Sequence, residues 1–395
     1  GQVLRSSGNG FAGCSRQTLL ALLHERCREL GVRLRFQTEV SPEDLETWDA
    51  DLVVGADGIN SRIREHFREH FRPEVSLGCD PFCWMGSTKE LDAFKYFFRM
   101  TEHGPVLAHC YQYEPGMSTW VIELSQETFD NFGFGGMSEA EYKGVLERVF
   151  AEELAGHPLL TNRSIWGRFP TIRCERWVKG NLVLLGDAKA TAHYSIGSGT
   201  KLAMEDAAAL FEALRANPDV PGALAAFEAG RREEVEKTQH AAGVSLWWFE
   251  NMGRYWGMSP EQFAFGVMSR SKQITYENLM LRDALFVERV ERDFLERARA
   301  QGFRVEDGTP PMFTPFKLRD MELPNRVVVS PMAQYRAENG VPNDWHFVHL
   351  TSRALGGAGL VFVEMTCPSP DARITPGCTG LWNEEQRDAF ARIAE

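Results

Sequence analysis

The 395-residue sequence has no apolar run long enough to span a bilayer, no leading signal peptide and no CxxC pair. The first absence predicts no membrane-spanning helix in this sequence, and none of its residues reads as a signal peptide. The third removes the usual spacing of zinc and dithiol sites, and no metal site is expected. The eight cysteines (Cys14, Cys27, Cys79, Cys83, Cys110, Cys174, Cys367, Cys378) are scattered, which reads as reduced, mostly buried thiols of a cytoplasmic protein. A basic excess is lacking as well. With 43 Lys and Arg against 55 Asp and Glu the net charge is −12, and a nucleic-acid partner, which calls for a clustered basic face, is not expected. There is no internal repeat, no low-complexity tract and no initiating Met. The chain opens on Gly1-Gln2-Val3 and closes inside the helical pattern "RDAFARIAE", so a fragment is expected. What is present is ordinary globular material, 43% hydrophobic and 25% charged, in a chain long enough for more than one domain.

Residues 15–30 place Leu19, Leu20, Leu22, Leu23 and Leu30 at helical spacing, with Gly31 as the stop. The alternating "VRLRFQTEV" that follows predicts a strand, and "ADLVVGADG" a second, apolar one that breaks on glycine. Residues 75–170 predict an antiparallel β-rich region with aromatic strands ("FKYFFRM", "TWVIEL") and one helix near 138–154. A strand, turn and helix follow at 181–215. Residues 222–300 read as mostly helical, with the aromatic stretch "SLWWFENMGRYWGM" in their middle. The Pro-, Gly- and Thr-rich "VEDGTPPMFTPFKL" reads as a linker. Beyond it strand, helix and strand alternate ("NRVVVSPMAQY", "WHFVHLTSRALGGA", "GLVFVEMTCP"), the rhythm of a parallel α/β domain that has only begun.

At 8–13, "GNGFAG" has the G-x-G-x-x-G spacing ahead of a helix, and Glu39 falls near the end of the next expected strand, where a ribose contact would sit. A dinucleotide fingerprint follows a buried apolar strand, however, and "QVLRSS" is short and mostly polar. These glycines therefore read as a loop before the helix.

Three other features carry more chemistry together than apart. Arg16 opens the leucine-rich helix, where a cation can reach a phosphate. In "DGINSRIR", Asp57-Gly58 ends a strand, and Ser61 and Arg64 are spaced to line the following turn. In "GNLVLLGDAKATAHYSIGSGTKLAMEDAAAL" (180–210), the apolar run Leu182 to Leu185 stops at Gly186-Asp187, and Gly197-Ser198-Gly199 opens a helix. A carboxylate at a strand end accepts hydrogen bonds from ligand hydroxyls. Glycines let backbone N–H groups approach a ligand closely, and a helix start favours negative charge.

The pair "DLVVGADGINSRIR" and "GNLVLLGDAKATAHYSIGSGTKLAMEDAAAL" resembles the DG and GD motifs of the single-component FAD-dependent aromatic hydroxylases, the family of p-hydroxybenzoate hydroxylase. The resemblance implies an α/β (α+β) fold in which Arg16, Asp57 and Asp187 contact FAD and the Gly197–Gly199 helix start faces the pyrimidine edge of the flavin. The chain departs from the family after Gly-Asp: Lys189-Ala190 replaces Ala-His, His193 is displaced, and Tyr194 stands where a proline is usual. The family's N-terminal FAD-binding βαβ unit is not in the sequence. Residues 1–300 are thus expected to form an incomplete FAD domain that binds FAD poorly, followed by a linker at 301–313.

Residues 314–395 are expected to hold the first βα units of a TIM barrel. "MFTPFKLRDMELPNRVVVSPMAQY" and "SRALGGAGLVFVEMTCPSPDARITPGCTGLW" resemble the start of the Old Yellow Enzyme class of FMN-dependent ene-reductases. That resemblance implies that Ser330, Pro331, Met332 and Ala333 border FMN at the carboxyl end of the first strand, with Met365 on the second. It also places Tyr335 at a substrate position. Ala333 stands where many members have a redox-tuning Cys or Thr.

The fusion as a whole resembles the bifunctional salicylyl-CoA 5-hydroxylases and 2-aminobenzoyl-CoA monooxygenase/reductases of bacterial aromatic degradation. It implies FAD, FMN and NAD(P)H as cofactors, O₂ as co-substrate and hydroxylation of an aromatic acyl-CoA at ring carbon 5. His193 and Tyr194 are the candidate catalytic groups near the ring. Other readings stay open at this point: an FAD hydroxylase of a free aromatic acid or indole, or a truncated flavin fold without activity. Hydroxy- against amino-benzoyl, NADH against NADPH and the oligomeric state, homo-oligomer included, stay open too.

Overall fold

The apolar run before Gly186-Asp187 becomes a fully buried strand at the centre of a three-stranded sheet. The structure, a computed structural model, describes residues 2–395, apart from the side chain of Glu46. It divides into two units. The N-terminal unit comprises Ser7–Met258 with Gly266–Asn278; the C-terminal unit comprises Ser259–Phe265 and Leu279–Glu395, together with the residues up to Ser6.

In the N-terminal unit, α1 (Arg16–Glu29) forms where the leucine spacing placed it, with Ser15 as N-cap accepting from Thr18 N–H. No residue of this helix is buried, and Leu20, Leu22 and Leu23 are exposed. Periodicity foretold the helix but not a partner for its leucines. The strand expected at "VRLRFQTEV" is absent: residues 32–40 carry no ladder, and Val32 and Phe36 are exposed. A strand exists only where a neighbour takes its backbone hydrogen bonds, and alternation cannot supply one.

The strand at "LVVG" does find a neighbour. β1 (Val53–Gly55) pairs in parallel with Leu182–Leu184, residues more than a hundred positions later in sequence. The intervening chain forms the antiparallel sheet: β2 (Pro73–Ser87), β3 (Lys95–Thr101), β4 (Gly104–Glu114), β5 (Met117–Leu124), β6 (Leu159–Leu160) and β7 (Gly167–Cys174). Its order is β3-β4-β5-β2-β6, with β7 also on β2. β8 (Val178–Lys179) and β9 (Leu182–Leu184) complete the smaller sheet, ordered β1-β9-β8.

Side chains on β5 alternate between two covered faces. Trp120, Ile122 and Leu124 pack with Met85, Phe134, Leu146 and Phe150 into one core, closed by the helices Gln126–Phe132 and Glu139–Val149. Thr119, Val121 and Glu123 point to the opposite face and are buried there as well. A second core joins β9 to α2 (Gly199–Ala216) and α3 (Val220–Glu250) through Leu184, Leu202, Leu210, Leu224 and Phe227.

In the C-terminal unit a helix, Ala284–Ala300, precedes the expected linker. Arg299 folds that segment back by donating to the Val305 carbonyl. β10 (Phe316–Leu318) and β11 (Met321–Leu323) make a hairpin. β12 (Val328–Val329), α4 (Asp344–Leu355) and β13 (Leu360–Val361) form a parallel βαβ unit, and β14 (Thr366–Cys367) pairs in parallel with β15 (Thr379–Gly380). No described helix is long and apolar enough to cross a membrane. Of the cysteines expected to be mostly buried, Cys14 and Cys79 are exposed and Cys27 is half-buried: Cys14 and Cys27 lie outside the strands, and Cys79 sits where β2 shifts register between Leu77 and Pro81.

Candidate functional site

The parallel register of β1 and β9 pairs Gly55 with Leu184, so Asp57 and Asp187 leave the same edge of the sheet side by side. Leu185 N–H closes the pairing on Gly55 carbonyl at 2.9 Å. Carboxyl ends of adjacent parallel strands are where open α/β sheets take ligands. Gly186 makes the turn at φ +56°, and a Cβ there would stand 3.1 Å from the Ala203 Cβ, so both the conformation and the space call for glycine. Asp187 is exposed. Although the side chain reaches solvent, the protein around it partly desolvates the carboxyl and raises it above the usual range, with the Arg16 charge opposing.

The start of α2 is open to a ligand. Gly197 adopts φ +64°, and nothing lies within 4 Å of a Cβ built at Gly197 or Gly199. Ser198 provides no side-chain cap and the first turn carries no acidic residue, so the N–H groups and the positive end of an 18-residue helix stay available to an anion.

Two buried cations hold this edge together, in roles the sequence did not reveal. Arg64, expected to line the turn, is instead buried, and it donates to the carbonyls of Ala188 (3.1 Å) and Ile59 (2.9 Å). It ties the Asp57 loop to the Asp187 loop. Ser61 is likewise buried, capping the Arg64 N–H at 2.9 Å. Asp57 Oδ2 accepts from Ile63 N–H at 3.2 Å. On the other side Lys189, 0% exposed, stands 2.9 Å from Asp206 Oδ2 and 3.9 Å from the centre of the Trp177 ring. The Lys189 ammonium is out of line for a hydrogen bond and makes an ion pair instead. Asp206 also accepts from Gly186 N–H (3.2 Å) and from Arg231 Nε (3.0 Å).

His193 and Tyr194 lie on the second covered face of the large sheet. Tyr194 donates its hydroxyl to Glu123 Oε2 at 2.8 Å, and His109 Nε2 meets the same oxygen at 3.0 Å. Burial and the Glu123 charge push the Tyr194 phenol well above its ordinary range, so it remains a donor. Burial alone would raise Glu123, but the hydrogen bonds and charges around it outweigh that and hold it ionised. Glu123 and His109 were missed in sequence. The signal was there, a lone carboxylate inside the apolar strand "TWVIEL".

His193 does not join this carboxylate. Its Nδ1 meets Ser195 Oγ at 2.8 Å, Ser195 Oγ meets Ser245 Oγ at 2.8 Å, and Arg270 donates to Ser245 Oγ at 2.9 Å and to the Ser195 carbonyl at 2.6 Å. Burial lowers His193 to about 4. Between pH 6.5 and 4 the unfolded chain therefore takes up a proton that the folded one refuses, and stability falls as pH drops through that window. Replacing His193 by Asn should remove on the order of 2 kcal/mol of this acid sensitivity, read as denaturation midpoints at pH 7 and pH 4.5. An unchanged pH slope would show that another group is responsible.

In the C-terminal unit Ser330, Pro331, Met332 and Ala333 follow the carboxyl end of β12 and are exposed, and Met365 lies between β13 and β14. Tyr335 is exposed at φ +55°. Beneath them Glu364 accepts from Gln334 N–H at 2.6 Å and pairs with buried His346 at 2.9 Å, which joins the two strand ends.

Residues 3–242, more than half of the chain, match the family described as "FAD binding domain". The chain belongs to this FAD-binding family. Residues 311–395 match the NADH:flavin oxidoreductase / NADH oxidase family. FAD is the cofactor of the first family, and FMN with NAD(P)H serves the second. The chain is 41% identical over 340 residues to the salicyloyl-CoA 5-hydroxylase of Streptomyces sp, a match spanning 83% of this chain and 63% of that protein's length. It is 38% identical over 264 residues to the 3-hydroxy-4-methyl-anthranilyl-(aryl-carrier protein) 5-monooxygenase of Streptosporangium sibiricum, covering 67% of this chain and 70% of that one. A crystal structure of 2-methyl-3-hydroxypyridine-5-carboxylic acid oxygenase shares the fold, with a TM-score of 0.50 at 19% identity over 68% of this chain and 73% of the other.

The Asp57–Asp187 edge fits the family's cofactor on its own chemistry. An exposed carboxylate, a guanidinium whose charge acts on it and an uncapped, Cβ-free helix start together suit a ligand that is rich in hydroxyls and carries negative charge.

Proposed function

We propose that this chain is the hydroxylating part, with an attached FMN-reductase segment, of an enzyme that hydroxylates an aromatic acyl thioester at ring carbon 5. The observation that carries the reading is the juxtaposition of Asp57, Asp187 and the open start of α2 at one sheet edge, within a unit that also holds an aromatic-lined sheet face. The thioester follows from the relatives' names: one acts on a salicyloyl group carried by CoA, the other on an anthranilyl group carried by a protein. In both, an aromatic acid bears an ortho hydroxyl or amino group and its carboxyl is joined to a carrier.

FAD, when bound, would take electrons from NAD(P)H and activate O₂ for transfer of one oxygen atom to the ring, the other leaving as water. The chain's own residues do the rest. Arg16, Asp57, Asp187 and Gly197–Gly199 hold and orient the cofactor. Phe82, Phe169 and Tyr194, with ring centres 5.0 Å (Phe82–Tyr194) and 5.8 Å (Phe169–Tyr194) apart, keep water from the sheet face, and Glu123 with Tyr194 and His109 sets a fixed hydrogen-bonding wall there. The FMN segment uses Ser330–Ala333 and Met365 at its strand ends, with Tyr335 at the substrate side.

The test supplies the whole protein with NADPH, O₂ and either 2-hydroxybenzoyl-CoA or free salicylate, and identifies the product by mass. A gain of one oxygen on the thioester alone is expected. Turnover of the free acid with none of the thioester would sink the thioester reading.

A further inference from the structure

A cavity of about 490 Å³ opens on the sheet face that bears Glu123, within the range that small-molecule sites occupy. Leu107, Phe249 and Met252 give it an apolar wall, and Asp80, Glu123 and Glu250 give it carboxylates. Glu123 is 2% exposed. Both of its hydrogen bonds, from Tyr194 and His109, fall on Oε2, and among the described residues Oε1 receives none. Glu123 lines the open cavity, so Oε1 is left to whatever fills it, and a ligand that brings an O–H or N–H group there supplies the missing donor. Four carboxyl groups, Asp80, Glu123, Glu127 and Glu250, line the cavity against one guanidinium, Arg254. Burial and the charges of Glu123 and Glu250 raise Asp80 to about 8, with Arg168 opposing. A ligand carboxylate entering there would meet the same burial and the same field, whereas a thioester carbonyl carries no charge.

We infer that this cavity selects the substrate: Glu123 Oε1 accepts the hydroxyl or amino donor ortho to an esterified carboxyl, and the acidic lining turns away the free acid. The inference rests on the hydroxylase reading and names the selecting residue within it. A site built to receive a donor rejects the analogue that lacks it far more strongly than an apolar pocket rejects a small change of shape. The donor keeps its proton, and its hydrogen bond to a carboxylate leaves electron density on the heteroatom, which the ring passes to the para carbon. Recognition and activation then use the same contact.

Isothermal titration of the full chain, with FAD present, tests this using 2-hydroxybenzoyl-CoA, benzoyl-CoA and free salicylate. The unaltered protein should prefer the 2-hydroxy thioester over benzoyl-CoA by about tenfold or more. Glu123→Gln should bring that ratio to within about twofold, chiefly by weakening the 2-hydroxy thioester. Thermal unfolding shows whether the variant is folded. Independently, Glu250→Gln keeps the acceptor for Cys79 N–H and removes a charge, and it should strengthen salicylate binding. A preference that survives Glu123→Gln, or salicylate binding that is indifferent to Glu250→Gln, would overturn the inference while leaving the hydroxylase reading intact. Failure of the unaltered protein to bind either thioester would overturn both.

Discussion

Asp187→Ala is expected to weaken FAD binding by about ten- to a hundredfold while FMN content stays the same. The estimate follows from losing one hydrogen bond to a charged group, worth about 1.5–3 kcal/mol, where every 1.4 kcal/mol is a factor of ten. Asp187 is exposed at the strand end, beside Asp57 and under the influence of Arg16, so its carboxylate is available to ligand hydroxyls and the protein has little else for it to do. Removing it leaves no buried group unpaired, and the thermal midpoint of the cofactor-free protein should hardly move. The FMN candidates, Ser330–Ala333 and Met365, belong to the other unit. Flavin release after denaturation, with FAD and FMN resolved by chromatography, gives both contents at once. Equal loss of the two flavins would refute the assignment of separate sites.

Asp206→Ala is expected to cost about 3–5 kcal/mol of folding stability, because it strands a cation in the interior. Lys189 and Asp206 are both 0% exposed, and Asp206 additionally receives Gly186 N–H and Arg231 Nε. Burial lowers the Lys189 ammonium from its ordinary range, and Asp206 is what chiefly resists that shift. The aromatic face of Trp177 at 3.9 Å compensates only in part. The paired change Lys189→Met with Asp206→Leu should lose less than Asp206→Ala alone, since it removes both charges rather than one. Denaturant midpoints of the three proteins decide the matter. A single variant within 1 kcal/mol of the unaltered protein would show that water reaches Lys189. Because Asp206 also fixes Gly186 N–H, the same change should loosen the Asp187 loop and weaken FAD binding.

The motifs at Asp57 and Asp187 were legible in sequence because each is local: an apolar strand, a glycine turn, a carboxylate and a helix start lie within a few residues. The helix at Arg16–Glu29 was legible for the same reason, through its leucine spacing. What depends on partners distant in sequence was not. "VRLRFQTEV" alternates like a strand but has no neighbour to receive its hydrogen bonds, whereas the three residues of β1 are a strand because β9 stands beside them. Arg64 read as lining the turn and Lys189 only as a departure from the family motif, and only the packing of the Ala188 carbonyl and of Asp206 against them explains their burial. His193 and Tyr194 were singled out together, yet the fold sends them to different networks. Tyr194 reaches Glu123 on β5, and His193 reaches Ser195, Ser245 and Arg270. Sequence by itself determined the two families and the local motifs at Asp57 and Asp187, since these rest on local spacing. Only the tertiary structure decided which carboxylates are buried, which cations staple the Asp57–Asp187 edge and where a cavity opens, because burial and charge pairing are made between residues that the chain keeps far apart.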